Sequence, residues 1–359
     1  MKQKMELKDV ANRVIHQMKT LGNETQIAEE CPISIIDMGT WEWAQGVGLY
    51  GLLRYYQETG EGDGLAFLIA WFDRNMADGL PEKNVNTMCP MLTLTYVYEL
   101  TGKPAYLALC QEWAEWIMTD MPRTEESGFQ HIVSGQANEQ QLWDDTLFMT
   151  VLFLARMGTL LGRLDYLDES VRQFLVHIKY LTDRKTGLWY HGWTFEGRHH
   201  FANALWARGN CWYTAGIVDY LDIIQDLNGG VKLFLLDALL SQVEALEKLQ
   251  HDNGMWHTLL DDPGSYVETS ATAGFAYGIL KAVRLGYLPP RFRTMGEAAL
   301  RAVLARTKEN GIVTEVSYGT GMGLTLEAYR EIPLCPMTYG QALTLMLLTE
   351  GIKLESSQL

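Results

Sequence analysis

The sequence predicts an all-α protein, six helical hairpins closed in a ring as an (α/α)6 barrel, and three observations carry that expectation. Four short segments repeat one turn pattern: EESGFQHIV around Gly128, RKTGLWYHGW around Gly187, HDNGMWHTLL around Gly254 and KENGIVTEVS around Gly311. Their glycines lie 59, 67 and 57 residues apart, a recurrence that marks a repeated supersecondary unit. Between the marks the apolar residues fall mostly at helical spacing. A chain of 359 residues at about 60 per unit holds roughly six hairpins. The whole chain, 1–359, is therefore expected to form a single barrel domain.

Taken in order, the helical segments are GVGLYGLLRYYQETG (46–60), LTLTYVYELTGKPAYLALCQEWAEWIM (92–118) and DTLFMTVLFLARMGTLLG (145–162). They continue with GIVDYLDIIQDL (216–227), VKLFLLDALLSQVEALEKLQ (231–250) and ATAGFAYGILKAVRLG (271–286). Gly60, Gly158 and Gly286 are read as left-handed C-terminal caps. The inner helices of such a ring must be apolar or small on most faces, and DTLFMTVLFLA and ATAGFAYGIL suit that position. The turns GFQH, GLWYHGW and GMWH bring aromatics and histidines beside the inner-helix starts, so one mouth of the ring is expected to be an aromatic-lined cleft. The glycine-rich YGTGMG at 318–323 reads as a tight loop at that mouth. Carbohydrate suits such walls, because sugar C–H faces stack on indole rings.

Composition narrows the ligand. The chain is 47% hydrophobic and 20% charged, as a folded globular protein is. A formal net charge of −15 without a basic stripe opposes nucleic acid and anionic membrane surfaces. An acidic substrate stays open provided that the cleft carries its own cations. No apolar stretch has the length of a signal peptide or a membrane span, so the expected location is the cytoplasm. Cys31, Cys89, Cys110, Cys211 and Cys335 are scattered, with no CxxC pair, which points away from a disulfide framework or a zinc site. No GxGxxG, Walker A, GxSxG or HExxH sequence appears.

The sharpest local feature is Gln141-Leu142-Trp143-Asp144-Asp145-Thr146-Leu147-Phe148-Met149, two carboxylates at the entrance of an apolar helix. Either could be a helix N-cap with a lowered pKa. Either could instead be a general acid whose pKa is raised by burial against Trp143, Phe148 and Met149. One division of labour has Asp144 positioning and Asp145 facing the cleft. In Leu205-Trp206-Ala207-Arg208-Gly209-Asn210-Cys211-Trp212-Tyr213, a guanidinium lies between two indoles. That set serves as a carboxylate clamp with stacking walls or as ordinary core packing. His191 in Tyr190-His191-Gly192-Trp193 and His131 after Gln130 follow turn glycines at equivalent places, which suggests substrate contact; His199 and His200 read as structural. Tyr50 and the segment Trp41-Glu42-Trp43 look like a further part of the rim.

These motifs, with ETSATAGFAYGILKAVRLGYL, together resemble the unsaturated glucuronyl and rhamnogalacturonyl hydrolases of glycoside hydrolase family 105 and, more distantly, family 88, over most of the chain. The resemblance implies an (α/α)6 barrel with no metal and no organic cofactor. It implies Asp145 as general acid and base, and His191, Trp206, Arg208 and Trp212 as substrate-binding residues; Trp43 at the rim, His131 after its turn glycine and Asp144 beside Asp145 join the substrate-binding candidates from their own placement. Two positions depart from the family pattern. Cys211 replaces a glycine and could reshape the pocket. Asn86, in Lys83-Asn84-Val85-Asn86-Thr87, stands where several relatives carry a second catalytic-site Asp; Asn bonds a sugar hydroxyl but transfers no proton.

The expected reaction is release of a 4,5-unsaturated uronic acid from the non-reducing end of a small pectin-derived oligosaccharide, by hydration of the C4=C5 bond with one carboxyl serving twice. Unsaturated glucuronyl ends are the alternative substrate. A sugar epimerase using His131 and His191 as acid and base is a rival on the same architecture, and a non-catalytic oligosaccharide-binding protein is a third reading.

Overall fold

The computed structural model describes residues 6–23 and 36–356, so Cys31 lies outside the described residues. In chain order the helices begin α1 (Leu7–Thr20), α2 (Trp43–Thr59), α3 (Gly64–Asp78), α4 (Cys89–Thr101) and α5 (Pro104–Thr119). Then come α6 (Leu152–Leu161), α7 (Leu164–Leu181), α8 (Ala207–Ile223) and α9 (Gly229–Leu249). The last four are α10 (Thr269–Arg284), α11 (Arg293–Arg306), the short α12 (Leu326–Arg330) and α13 (Thr338–Ser356).

Two kinds of helix alternate. Those of one kind, α2, α4, α6, α8, α10 and α13, are buried on nearly every face, which their apolar and small residues permit. Each of these packs on two others, in the order α2, α4, α6, α8, α10, α13 and back to α2. That circuit closes the ring. The other kind, α1, α3, α5, α7, α9 and α11, buries one stripe, against α13, α2, α4, α6, α8 and α10 respectively. The expected (α/α)6 barrel is the observed one. The segments that periodicity assigned leave out the outer helices α1, α3, α7 and α11 and the closing inner helix α13.

The turn marks have one structural job. Gly187, Gly254 and Gly311 adopt φ of +83°, +87° and +94°. A β-carbon on each would strike the backbone of the next outer helix, at Ser241, Ala298 and Arg13. Gly128 faces the side chain of Val176 on α7 in the same relation, without a positive φ. The period thus records how each hairpin seats on the following one.

Some local expectations are corrected. Gly158 lies inside α6 against Leu167, and Gly162 is the left-handed cap. Gly102 splits the segment 92–118 into α4 and α5. The segment starting at Asp145 runs through a π-helical turn, Leu147–Val151, before α6. Tyr50 is buried within the barrel against Phe148 and Arg54, away from the rim. Trp41 is core, packed on Trp71, Phe72 and Trp113.

Candidate active site

A two-stranded ribbon organises the mouth. Strand β1 (Gln141–Trp143) pairs antiparallel with β2 (Gly192–Thr194), with Leu142 opposite Trp193. The Asp144 amide donates to the His191 carbonyl at 3.1 Å, and the His191 amide donates to Ala204 at 3.1 Å. Residues from two successive repeats are thereby held side by side.

At the inner-helix N-termini lies a cleft of about 500 Å³. Its walls are Trp43 from α2, Trp143 from β1 and Trp206 ahead of α8. Asn86, His131, Gln136, Arg208, Thr320 and Gly321 supply its polar edge, and the last two confirm the YGTGMG loop at the mouth. Asp145 supplies the carboxyl. Six of the nine residues expected in the site line the cleft: Trp43, Asn86, His131, Asp145, Trp206 and Arg208.

The other three do not. Asp144 has no exposed surface and sits behind Asp145, so no substrate atom reaches it. Trp212 is fully buried, edge-on to Trp43 and packed on Phe148; it supports the wall from behind. His191 is buried, with Nδ1 2.7 Å from the Tyr329 hydroxyl and Nε2 3.4 Å from Asp145 Oδ2. Cys211 does not line the cleft; its thiol is buried against Gly274 of α10.

The two carboxyls differ sharply. Asp144 stands directly before the helical turn that starts at Asp145, but among the described residues neither carboxyl makes a well-formed capping bond. Burial pushes the Asp144 carboxyl well above the ordinary carboxylate range, and the adjacent Asp145 charge adds to that. Asp145 keeps 19% of its side chain exposed. Burial alone would raise it too, but His191, with a smaller contribution from Asp144, reverses the shift and holds it below the ordinary range. His131 stacks on Trp143 at 4.1 Å and bonds Thr146 at 2.8 Å; burial lowers its pKa to about 3, so it is neutral. Asp144, Asp145 and His191 place donor atoms within 4.8 Å of one another. They fit a cation poorly, since metal ligation needs both carboxyls ionised and the setting of Asp144 favours the acid.

Arg208 is buried and rigidly held. It donates to the carbonyls of Ser317 at 2.8 Å and Tyr318 at 3.0 Å, and to the Ser317 hydroxyl. Its guanidinium lies over Trp206 at 4.4 Å and Tyr339 at 4.9 Å, the second face being Tyr339 where Trp212 was expected. Glu268, the N-cap of α10, accepts from the amides of Ser270 at 3.0 Å, Ala271 at 2.6 Å and Ser317 at 2.9 Å. Glu268 therefore fixes the loop that fixes Arg208. Sequence reasoning missed Glu268 and Tyr329, which lie 60 and 121 residues beyond Arg208; the one available signal was Glu268 directly before an apolar helical run.

Comparison with known proteins bears on this geometry. The family model described as Glycosyl Hydrolase Family 88 matches residues 10–355. The unsaturated rhamnogalacturonyl hydrolase YesR of Bacillus subtilis is 33% identical over 316 residues, 87% of this chain and 90% of that protein. A crystal structure of a possible GH105 member from Salmonella enterica serovar Paratyphi A is 46% identical, with TM-score 0.94, covering 99% of this chain and 96% of that one. A second, from Klebsiella pneumoniae, is 45% identical, with TM-score 0.93 and the same coverage.

Proposed function

Since the chain belongs to Glycosyl Hydrolase Family 88, we propose that this glycoside hydrolase releases a 4,5-unsaturated uronic acid from the non-reducing end of short rhamnogalacturonan-derived oligosaccharides. The carrying observation is that Asp145 is the one carboxyl, among the described residues, that lines a cleft walled by three indoles and a buried guanidinium. A conventional glycosidase needs two carboxyls flanking the anomeric carbon. Asn86 offers an amide on the cleft wall where a second one would stand.

An unsaturated uronate is a vinyl ether and needs only one. Asp145 gives its proton to C4, and positive charge develops at C5 and the ring oxygen. Water adds at C5 and returns a proton to Asp145. The hemiketal opens and frees the neighbouring sugar. Arg208 faces the uronate; its bonds to Ser317 and Tyr318 use three of its five N–H groups and leave its charge in place. Trp43, Trp143 and Trp206 hold the ring faces, and Asn86 bonds a hydroxyl. The epimerase alternative loses support because His191 does not line the cleft. We take the chain, 1–359, to act as one catalytic unit in pectin breakdown, in the cytoplasm; the free thiols of Cys89, Cys110, Cys211 and Cys335 suit a reducing compartment.

The test follows the ultraviolet absorbance of the ene-uronate with the unsaturated rhamnogalacturonan disaccharide. Loss of absorbance with release of rhamnose is expected, and Asp145→Asn should lower the rate by about 10²-fold or more while keeping the fold. Loss only with an unsaturated glucuronyl disaccharide keeps the hydration chemistry and changes the sugar. Loss with neither overturns the proposal.

A further inference from the structure

The proposed chemistry asks Asp145 to donate a proton, yet at rest it is held as a carboxylate beside His191. The residue before it has the opposite character. Asp144 has no exposed surface, and neither of its oxygens makes a hydrogen bond of good geometry among the described residues; the Asp145 carboxyl and the amides of residues 144 and 145 are the polar groups that face it. Its carboxyl is wedged against the backbone of α8, where a β-carbon on Gly209 would meet Oδ2 at 2.3 Å. A carboxylate so placed has lost its hydration, faces a second carboxyl and gains little in return, and it neutralises instead. A neutral carboxyl is a donor, and the Asp145 carboxylate, within 4.8 Å, can accept from it.

Resting on the assignment of Asp145 as the acid, we propose that Asp144 is a protonated carboxyl that shares its proton with Asp145, so that the adjacent pair forms the acid. Two carboxyls at close quarters retain one proton between them because both cannot ionise cheaply. When substrate fills the cleft and excludes water, the proton passes from the Asp144 oxygen to the Asp145 carboxylate. The Asp145 O–H bond then breaks as the C4–H bond forms from the C4=C5 π pair. C5 bonds to water, and the released water proton goes to Asp145 and back to Asp144. One water is consumed, and both residues return to their starting states. Asp144 touches no substrate and is a positioning residue that acts through Asp145.

The groups facing the pair are few. His191 approaches from the residue just before β2 and His131 from the loop before β1. Arg208 and the Cys211 thiol face it from α8, and Tyr329 from α12. Of these, His191 favours the ionised form of Asp145, and Asp144 supplies the proton against that bias.

Two measurements on the full-length protein test the pair. With aspartate carboxyls labelled with ¹³C, one signal is expected to keep the chemical shift of a neutral acid at pH 7, to persist in Asp145→Asn and to vanish in Asp144→Asn. Absence of such a signal from the wild type at pH 7 overturns the proposal, and that reading stands even if Asp144→Asn fails to fold. In turnover, Asp144→Asn should lose at least ten-fold in kcat at pH 7 and recover as pH falls, when Asp145 takes its proton from solvent. An unchanged profile, or an equal loss at every pH, overturns the shared proton while leaving Asp145 as the acid. Full turnover in Asp145→Asn removes the underlying assignment, and the proposal with it.

Discussion

Gly209 is small for the sake of a neighbour. It lies in the first turn of α8 next to Arg208, and its missing side chain is the space occupied by the Asp144 carboxyl. Adding one methyl group must therefore push Asp144 and, through the chain, Asp145. Gly209→Ala is expected to cost about 1–3 kcal/mol by overpacking and to lower kcat more than KM. Thermal unfolding and steady-state kinetics check both, and a wild-type kcat would show that the carboxyl pair tolerates displacement. Trp212 gives the converse lesson. Its place one turn beyond Arg208 made it look like a stacking wall, but that turn carries it behind Trp43.

Among elements, α10 links packing to the site. Its N-cap, Glu268, satisfies two backbone amides of the first turn and reaches across to Ser317. Losing a cap costs about 0.5–2 kcal/mol, and the Ser317 amide would also lose its buried acceptor. Glu268→Ala should thus destabilise the protein by about 2 kcal/mol. KM should rise several-fold as Arg208 loosens, whereas a pure capping role would leave KM unchanged. The β1–β2 ribbon is the other linking element. With three residues in each strand it was invisible to periodicity, yet it brings His191 to Asp145. The π turn after Asp145 was equally hidden, since an i→i+5 turn leaves no mark in an apolar run.

At the scale of the whole molecule, the barrel carries chemistry at one end and a polar closure at the other. Near the C-terminal ends of α8 and α10, the fully buried Asp219 accepts from Lys281 at 2.5 Å, the Tyr277 hydroxyl at 2.7 Å and Arg54 at 3.3 Å. Burial alone would raise its pKa, but Lys281 and Arg54 pull it down. Removing one partner of a buried pair leaves a charge uncompensated. Asp219→Asn should cost about 3 kcal/mol in denaturant titrations while kcat/KM stays within about two-fold. A large fall in kcat/KM would mean that the two ends of the barrel are coupled.

The amino-acid sequence by itself determined the all-helical class, most of the inner helices, the period of the turn glycines and the aromatic character of the cleft. Turn glycines, helical spacing and Trp–Arg–Asp motifs are local signals, and each hairpin repeats the same local solution. The family resemblance then singled out Asp145 and Arg208, which do line the cleft. Tertiary structure decided what depends on partners remote in the chain. It closed the ring through α1 and α13, whose reason for packing together appears only when the circuit is complete. It also sorted Asp144 from Asp145, because adjacent side chains diverge and only the packing of α8 determines which of them meets water and which is sealed behind it.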